Sequence, residues 1–388
     1  MLVYLDNSAT TKAYDDVTLE VAKVMQQDYG NPSSLHRMGI NAEKHVKNAR
    51  RSLALSLGVS PDEIFFTGSG TEADNMAIFG LAGAQKRRGN KIITSKIEHP
   101  AVLEACRRLS TKGFEIAYIG VNKFGLIDLQ ELEGEIDDNT ILISIMHVNN
   151  ELGTIQPIEE IGKLKRKHEG VFFHSDAVQS FGKIALDPRK SGIDLLSISA
   201  HKIHGPKGVG ALYAKKGTRI DPQLIGGGQE QGMRSGTENV PGIAGFGIAV
   251  RHISSGWAAK MKELTKLRTY LLTGIKNEIS DCRINSYETE GSSPAILNVS
   301  FEGVRGEVLL HMLEQAGIFV STSSACSSKK KGQSHVLKAA GLLDREIEGA
   351  IRFSFSEMNN LPEMEYTLDR LKMSVTDMRR TLSRYEKR

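Results

Sequence analysis

Between residues 63 and 214, short apolar runs rich in β-branched and aromatic residues alternate with segments of helical periodicity. Strands joined by helices in this way pack as a mostly parallel sheet with helices on both faces. The pattern therefore predicts an α/β fold. Strands are predicted at residues 64–67, 92–94, 114–121, 141–148, 171–174, 193–198 and 210–214, and helices at 73–80, 100–109, 129–136 and 157–164.

Polar residues follow several of these predicted strands. In such a sheet the carboxyl ends of the parallel strands meet at one edge, where ligands bind. We therefore expect these side chains to form one site, and the small, hydroxyl-rich loop at residues 6–11 could line it as well. The polar residues are Thr71, His99, Asn150, Asp176 and the group from Ser199 to Lys202.

Lys202 stands in a Ser-Ala-His-Lys sequence after an apolar strand, and glycines and a proline follow it closely. A lysine amine forms a covalent imine when burial or a neighbouring cation lowers its pKa. A solvated lysine on a surface loop is the alternative interpretation of the same stretch. The two interpretations differ in whether the Lys202 amine lies in a site or in solvent.

The sequence Gly68-Ser69-Gly70-Thr71 lies between a predicted strand and a predicted helix. Glycines let backbone N–H groups approach a phosphate, and a helix N-terminus favours anions. The same stretch also resembles an ordinary helix start, with Thr71 and Asp74 as a capping box. Both a phosphate site and a plain cap are compatible with these residues.

Asp176 ends a predicted strand, where its carboxylate could pair with a protonated ring nitrogen, bind a metal or cap the next segment. A lysine imine, an acid for a pyridinium nitrogen and a phosphate site are together what pyridoxal phosphate requires. Thr71, Ser199 and His201 are candidates for the phosphate. His99 could stack on a ring and move protons, or be an ordinary core histidine. The histidines show no recognised metal-ligand spacing, so no metal site is predicted.

Cys326 lies in a polar segment rich in serine and lysine, and the lysines after it favour the nucleophilic thiolate. It is a candidate nucleophile, with an inert loop cysteine as the alternative. Cys106 and Cys282 have helix-like and strand-like surroundings and are expected to be inert. Arg352 is a cation within an apolar strand, suited to a substrate carboxylate or to an ion pair with one of the chain's own acids.

Outside the alternating region the pattern changes. Two helices are predicted before it, at residues 15–27 and 42–53. After residue 254 the chain is expected to form a smaller α+β unit. Its predicted elements are helices at 256–279, at 308–316 and from about 361, and strands at 296–301, 318–321 and 351–355.

The composition is that of a soluble globular protein. Its 50 basic and 46 acidic residues give a net charge of +4, and no basic stripe is interleaved with aromatic residues, so no nucleic-acid partner is predicted. Three cysteines are too few for a disulfide framework and suit a reducing compartment. With no evident secretory signal or membrane-spanning run, we expect no membrane partner and a cytoplasmic location.

The chain resembles the cysteine desulfurases, the NifS/IscS-like group of pyridoxal-phosphate enzymes in the class-V aminotransferase family. The resemblance covers nearly the whole chain and implies fold type I. In that fold, a large domain at 15–255 has a mostly parallel seven-stranded sheet flanked by helices, and a small α+β domain at 1–14 and 256–388 carries the Cys326 loop. The motifs are Gly70-Thr71-Glu72, Glu98-His99-Pro100, His147-Val148-Asn149-Asn150-Glu151, Asp176-Ala177-Val178-Gln179, Ser199-Ala200-His201-Lys202, Gly226-Gly227-Gly228-Gln229-Glu230, Arg234-Ser235-Gly236-Thr237 and Ser324-Ala325-Cys326.

The resemblance also implies roles. Lys202 would bind pyridoxal phosphate covalently, Asp176 would pair with the ring nitrogen, Gln179 would face the ring hydroxyl, and His99 would stack on the ring. Cys326 would accept sulfur. The implied catalytic residues are Lys202, Cys326 and His99. The residues implied to bind the cofactor are Gly70, Thr71, His99, Asp176, Gln179, Ser199, His201, Lys202 and, in a homodimer, Thr237 of the partner subunit. The substrate carboxylate would be bound by Asn150 and Arg352.

The implied activity removes sulfur from L-cysteine, giving L-alanine and a persulfide on Cys326. The sulfur would pass to an acceptor protein for iron–sulfur cluster assembly, thio-cofactor synthesis or tRNA thiolation. IscS-type enzymes dock the iron–sulfur scaffold with a longer tail than the 36 residues (388 minus 352) that follow Arg352, so a dedicated sulfurtransferase is an alternative acceptor. Selenocysteine lyase or aminotransferase on the same fold, and a silent partner that only docks sulfur carriers, are alternative functions.

Overall fold

The computed structural model describes residues 1–322 and 333–385, with side chains described as far as residue 381. Strands and helices alternate through the first half of the chain, as the apolar pattern predicts. In chain order the elements are β1 (Val3–Tyr4), α1 (Asp15–Gln27), α2 (Arg37–Leu57), β2 (Ile64–Thr67), α3 (Gly70–Gln85), β3 (Lys91–Ser95), α4 (Pro100–Ser110), β4 (Glu115–Ile119), α5 (Leu129–Glu135), β5 (Thr140–Ser144), α6 (Ile158–Arg166), β6 (Phe172–Asp176), β7 (Leu195–Ser199) and β8 (Gly210–Ala214).

Beyond β8 the alternation gives way to longer helices and short strands. The second half thus differs from the first as the sequence predicts. Its elements are α7 (Val240–Ser254), α8 (Trp257–Glu278), β9 (Cys282–Ile284), β10 (Ile296–Phe301), α9 (Gly306–Gln315), β11 (Ile318–Phe319), β12 (Ser321–Thr322), α10 (His335–Ala339), α11 (Asp344–Glu348), β13 (Ala350–Ser354) and α12 (Leu361–Tyr385).

The central sheet has seven strands in the order β2-β8-β7-β6-β5-β3-β4. Strands β7, β6, β5, β3 and β4 are parallel, whereas β8 runs antiparallel to both β7 and β2. The predicted mostly parallel sheet is therefore confirmed. Every residue of β3, β5 and β7 is buried, as expected for a sheet with helices on both faces.

Two apolar clusters cover the two faces of this sheet. Alternate residues of a strand point to opposite faces, so Leu196 and Ile198 of β7 join one cluster and Leu195 joins the other. Helices α1, α2 and α7 pack on the first face and α3 and α4 on the second. Burial of apolar surface, worth roughly 25 cal/mol per Å², holds these layers together.

A separate apolar core surrounds a four-stranded sheet with the order β12-β13-β10-β9. Leu271 of α8, Leu313 of α9 and Leu371 of α12 pack there against Phe353 of β13. Strand β1 pairs in parallel with β11, and Val3 is part of the same core. The first residues of the chain are therefore packed with the last third of it.

Helices α8 and α12 are the longest described, with 22 and 25 residues. Leu264 and Ile275 on one side of α8 enter the second core, as the predicted amphipathic pattern requires. Among the helices of the described residues, none combines the length and the apolar content needed to cross a membrane.

Residues 141–148 are predicted as one strand, but in the structure strand β5 ends at Ser144. The backbone that follows is hydrogen-bonded to β6 and to a nearby loop. Ile145 N donates to His174 O at 3.1 Å, and His147 N donates to Asp176 O at 2.9 Å. The apolar character of residues 145–148 therefore reflects burial of a loop, which sequence periodicity does not separate from a strand.

Helix α7 is missing from the sequence-based prediction. It is apolar on most sides, and the stripe that identifies a surface helix is absent from it. Its glycines allow close approach of its neighbours. A Cβ on Gly245 would lie 2.7 Å from Val21 Cγ2, and one on Gly247 would lie 2.8 Å from Ala49 Cβ. The predicted strand at 318–321 also differs, because β11 and β12 belong to two different sheets.

The contact of α6 with the turn before β7 predicts a stability effect. A Cβ on Gly162 would lie 1.9 Å from Ser191 O, which is backbone and cannot rotate away. We expect Gly162→Ala to lower the free energy of unfolding by about 1–3 kcal/mol. Gly134 of α5 is the control, because its Cβ would meet open space, and Gly134→Ala is expected to leave stability unchanged or raise it by up to about 1 kcal/mol. Urea unfolding compares the two, and equal effects would contradict the packing described.

Candidate active site

A cavity of about 310 Å³ lies at the carboxyl edge of the central sheet. The candidate residues that follow β3, β6 and β7 meet there, as the parallel arrangement predicts. Residues from the N-terminal loop and from β13 complete it. The lining residues are Ser8, Ala9, Ser69, Gly70, Thr71, Asp74, His99, Met146, Val148, Asn150, Asp176, Val178, Gln179, Ser199, His201, Lys202 and Arg352.

Lys202 reaches the cavity from a single helical turn, residues 200–202, directly after β7. Its Nζ donates to Ser8 O at 2.5 Å and to Ala9 O at 2.7 Å. The Ser8 carbonyl also accepts from Gln179 Nε2 at 3.0 Å. Backbone carbonyls thus hold the amine inside the cavity, unlike a lysine on a solvated surface loop.

The N-terminal loop that supplies these carbonyls is fixed at both ends. Thr11 N donates to His201 O at 2.9 Å, and Thr11 Oγ1 accepts from His204 N at 2.7 Å. On the other side, Asn7 Nδ2 donates to Ser354 O at 2.9 Å. The sequence suggests that this loop could line the site, but its partners, almost 200 and 350 residues away, follow only from the fold.

The start of α3 presents a small anion-binding surface. Ser69 caps this helix, because its Oγ accepts from Glu72 N at 3.1 Å, so the predicted capping box of Thr71 and Asp74 is wrong. The first N–H groups of a helix have no acceptor within it and favour an anion. A Cβ on Gly70 would lie 2.7 Å from Val178 Cγ2, so only glycine fits here.

Ser199 and His201 lie beside this helix start. Ser199 Oγ is buried without a hydrogen-bond partner among the described residues. His201 Nδ1 lies 3.1 Å from Thr10 Oγ1. Burial, with the Lys202 cation nearby, lowers the pKa of His201 to about 4. A neutral imidazole that bonds Thr10 through one nitrogen can donate to an anion through the other.

Asp176 and Gln179 offer complementary groups for a ring. Asp176 is buried, and one of its oxygens accepts from Val178 N at 2.8 Å. Burial, followed by the charge of Asp74, raises the pKa of Asp176 to about 7. Gln179 Oε1 is buried and lacks a partner in the part of the chain that the structure describes. A cation near Asp176 and a donor near Gln179 would satisfy both.

His99 is half-buried at the start of α4, and its Nδ1 accepts from Ala101 N at 3.2 Å. Burial is the main cause that lowers its pKa, and the carboxyl of Asp176 opposes the shift. His99 therefore caps a helix and also lines the cavity, and its bond from Ala101 N fixes the orientation of the ring.

Two further buried acids belong to this region, Asp74 in the lining of the cavity and Glu98 next to His99, and sequence reasoning does not identify them as site residues. Asp74 is 1% exposed, and its Oδ1 lies 3.5 Å from Nε2 of His174, itself fully buried. Glu98 accepts from Ser95 Oγ at 2.6 Å and from Met146 N at 3.0 Å. Burial raises the pKa of Asp74 to about 7 and that of Glu98 to about 8. Burial thus favours the protonated form of both acids over a wider pH range than usual.

Arg352 extends from β13 into the same cavity and is 4% exposed. Its Nη2 lies 2.8 Å from Asp6 Oδ1, and its Nη1 donates to Asn150 O at 3.0 Å. Its Nε is buried without a hydrogen-bond partner among the described residues. The ion pair with an acid of the chain is thus present, and the guanidinium keeps a donor for a second anion.

The remaining candidates lie elsewhere. Thr237 is exposed in a shallow groove with Gly68 and Glu230, outside the main cavity. Cys326 falls outside the described residues. Burial raises the pKa of the Cys106 thiol to about 12 and is the main cause that raises the pKa of Cys282. Those two cysteines are therefore poor nucleophiles at neutral pH.

Together these groups fit pyridoxal phosphate, the cofactor expected from the resemblance. The start of α3 with the unpartnered Ser199 hydroxyl matches a phosphate, and the buried Asp176 carboxyl matches a protonated ring nitrogen. Lys202 Nζ lies in the same cavity. The fit rests on the chemistry of these donors and acceptors.

The raised pKa of Glu98 predicts a pH effect on stability. Its ordinary value is 4.5 and its folded value is about 8, so between these limits the folded state keeps a proton that the unfolded state has lost. Stability from this group is therefore complete below pH 4.5 and falls as the pH rises toward 8, by at most about 1.4 kcal/mol per pH unit.

Glu98→Gln removes this titration while keeping hydrogen bonds to Ser95 and Met146 possible. In urea unfolding of the cofactor-free protein, we expect wild type to lose stability relative to this variant between about pH 5 and about pH 8. Parallel pH profiles for the two proteins would show that Glu98 is ionised in the folded state.

Comparison with known proteins agrees with this geometry. The family model described as aminotransferase class-V matches residues 3–366. The chain is 44% identical to "Cysteine desulfurase IscS" of Methanosarcina thermophila over 367 residues, which cover 95% of this chain and 90% of the relative. A solved structure described as a NifS-like protein matches with a TM-score of 0.91 at 43% identity, covering 97% of this chain and 100% of that one. "SspA in complex with cysteine" matches with a TM-score of 0.82 at 36% identity, covering 91% of this chain and 99% of that one. The chain therefore belongs to the class-V aminotransferase family and, within it, to the cysteine desulfurases.

Proposed function

We propose that this protein is a pyridoxal-phosphate-dependent cysteine desulfurase, which converts L-cysteine to L-alanine and passes the sulfur through Cys326 to an acceptor protein. The observation that carries the proposal is that Lys202, Asp176 and Arg352 line one cavity of about 310 Å³. This trio provides an amine for the cofactor, an acid for its ring nitrogen and a cation for the substrate. The name of its relatives, 44% identical over nearly the whole chain, gives the substrate.

The cofactor, when bound, supplies an electron sink next to the substrate carbon. Asp176 would pair with the ring nitrogen and favour its protonated form, and the Gln179 amide would face the ring oxygen. Lys202 would hold the cofactor covalently. The α3 start at Gly70 and Thr71 and the side chains of Ser199 and His201 would bind the phosphate, and His99 would stack on the ring.

Arg352 and Asn150 bind the substrate carboxylate in this account. Nε of the buried guanidinium has no hydrogen-bond partner among the described residues. The substrate carboxylate would join Asp6, whose Oδ1 lies 2.8 Å from Nη2, or compete with it. A charge-assisted bond of this kind orients the amino acid as well as binding it. The Lys202 amine, as a free base in the same cavity, would take the Cα proton of the substrate.

Sulfur transfer needs no external oxidant. The Cys326 thiolate attacks the substrate sulfur, an S–S bond forms, and the substrate Cβ–S bond breaks with its electron pair left on carbon. Two protons complete alanine at Cβ and Cα, and the enzyme keeps a persulfide. Cys106 and Cys282 are poor candidates for this step because their thiol pKa values are raised, the first to about 12.

The position of Thr322 supports this assignment. Ser321 and Thr322 form β12, which pairs with β13 so that Ser321 lies opposite Arg352. Cys326 follows Thr322 by four residues, so a fully extended chain would carry it no more than about 14 Å from the Thr322 Cα. A connection of this length is compatible with sulfur transfer to Cys326 from a substrate held by Arg352.

The assembly that we propose is a homodimer in which Thr237 of the partner subunit completes the phosphate site. The exposure of Thr237 and the 92% exposure of Ile225 in the same segment support an interface there. Each subunit has a large domain, 15–255, and a small domain, 1–14 with 256–388, in keeping with the separate apolar cores.

The sulfur acceptor is an iron–sulfur scaffold or a sulfurtransferase for thio-cofactor synthesis or tRNA thiolation. The proposed location is the cytoplasm, because three cysteines without a disulfide framework suit a reducing compartment. The relatives named IscS favour the scaffold.

Replacement of the cysteines tests the proposal. For Cys326→Ala we expect release of sulfide and alanine from L-cysteine, with a thiol reductant present, to fall at least about 100-fold, because the nucleophile is gone. The control is Cys282→Ala, which is expected to keep wild-type activity. Cofactor absorbance should be the same in all three proteins. Full activity of Cys326→Ala would point instead to a lyase or an aminotransferase on this fold.

A further inference from the structure

Ser334 and Glu151 form a buried hydrogen bond between distant parts of the chain. Ser334 Oγ donates to Glu151 Oε2 at 2.6 Å, although 183 residues separate them. The two residues are 4% and 5% exposed. The same Ser334 oxygen accepts from Leu337 N at 3.1 Å and so caps α10. One hydroxyl therefore both starts this helix and ties it to Glu151.

Glu151 belongs to the segment that forms the substrate side of the cavity. It follows Asn150, whose carbonyl accepts from Arg352. Its own backbone is fixed, because Glu151 N donates to Asn149 Oδ1 at 2.9 Å and Glu151 O accepts from Asn298 Nδ2 at 3.2 Å. The carboxyl is therefore a rigid attachment point at the edge of the site.

The helix that Ser334 caps is docked on the same edge by other contacts. Val336 and Leu337 pack in one apolar cluster with Met146 and Leu152. His335 Nε2 lies 2.9 Å from Glu98 O, directly before His99. The start of α10 thus contacts both the segment before His99 and the segment after Asn150.

The structure describes the two ends of the segment that contains Cys326, and both lie at the substrate site. One end is β12, where Ser321 pairs opposite Arg352. The other is Ser334, bonded to the residue after Asn150. Both described ends of the segment are thus attached beside the residues proposed to bind the substrate carboxylate.

From this arrangement we propose that Glu151 is a positioning residue for sulfur transfer, which holds the C-terminal end of the Cys326 segment at the substrate site through Ser334. The inference rests on the proposed role of Cys326. Glu151 touches neither cofactor nor substrate in this account. It acts indirectly, by holding Ser334, which follows the segment that contains Cys326.

The charge on Glu151 is not required for this role. Burial raises its pKa to about 7, and the cation of Arg352 opposes the shift. Either protonation state leaves a carboxyl oxygen that accepts from Ser334. Glutamine at this position also offers such an oxygen, so Glu151→Gln is the conservative variant that should restore function, whereas alanine should not.

Hydrogen–deuterium exchange of the cofactor-loaded protein tests the anchor itself. In Ser334→Ala and in Glu151→Ala we expect the amides of residues 338–342 to exchange about tenfold faster, because a buried hydrogen bond is lost. Ser334→Ala also removes the bond from Leu337 N, so the double variant should exchange no faster than Ser334→Ala alone, because the bond between Ser334 and Glu151 is already lost in that variant. Asp128→Ala is the control, because Asp128 caps α5 away from this region and should leave these amides unchanged.

Kinetics test what the anchor does. In both alanine variants we expect the rate of alanine formation at saturating L-cysteine to fall about tenfold through misplacement of the thiolate. KM and cofactor absorbance should stay as in wild type, and Glu151→Gln should keep nearly the wild-type rate. Unchanged exchange in Glu151→Ala, multiplied effects in the double variant, or an unchanged rate despite faster exchange would each overturn the proposal. If Cys326→Ala is fully active, the proposed sulfur acceptor is wrong, and the exchange experiment still decides whether the anchor exists.

Discussion

The burial of the Asp176 carboxyl at the end of β6 is the constraint around which the site is arranged. A carboxylate out of water needs a cation or several donors, and here the described contacts give it one N–H, from Val178. The protonated ring nitrogen of the proposed cofactor would supply the missing charge. Lys202, which donates to Ser8 O and Ala9 O, and the helix start at Gly70 would then hold the cofactor at two further points. Such a site requires three strand ends and the start of one helix to lie at the same place. A mostly parallel sheet provides this, because the carboxyl ends of its parallel strands meet at one edge.

Sequence reasoning locates Lys202, Asp176 and His99 because parallel strands bring their carboxyl ends together, a property of the fold class that needs no detail of packing. It does not identify Asp74 as a site residue, and the capping box that it leaves open for Thr71 and Asp74 does not form, because Ser69 caps α3. The carbonyls of Ser8 and Ala9 are also beyond it, since their contacts to Lys202 span almost 200 residues. Helix α7 lacks a polar face, and β5 ends inside an apolar run. Hydrophobic periodicity therefore predicts neither the helix nor the end of the strand.

The site joins two separately packed cores. Asp176 and Lys202 come from the central sheet, whereas Arg352 comes from β13 of the smaller sheet. Their meeting depends on hydrogen bonds that cross between the two, among them those from Arg352 to Asn150 and from Ser334 to Glu151. The residues proposed to bind the cofactor and the segment proposed to accept sulfur thereby belong to different parts of the chain. This division is compatible with a reaction in which the sulfur atom leaves the site on the segment that accepts it.

The most direct test of the account is a single turnover of cofactor-loaded enzyme with L-cysteine that carries radiolabelled sulfur, without reductant. After alkylation and digestion, the account predicts one labelled sulfur per subunit on the peptide that contains Cys326, released by a thiol, together with one alanine. Label on the peptides of Cys106 or Cys282, or alanine formed with all the label free in solution, would contradict it.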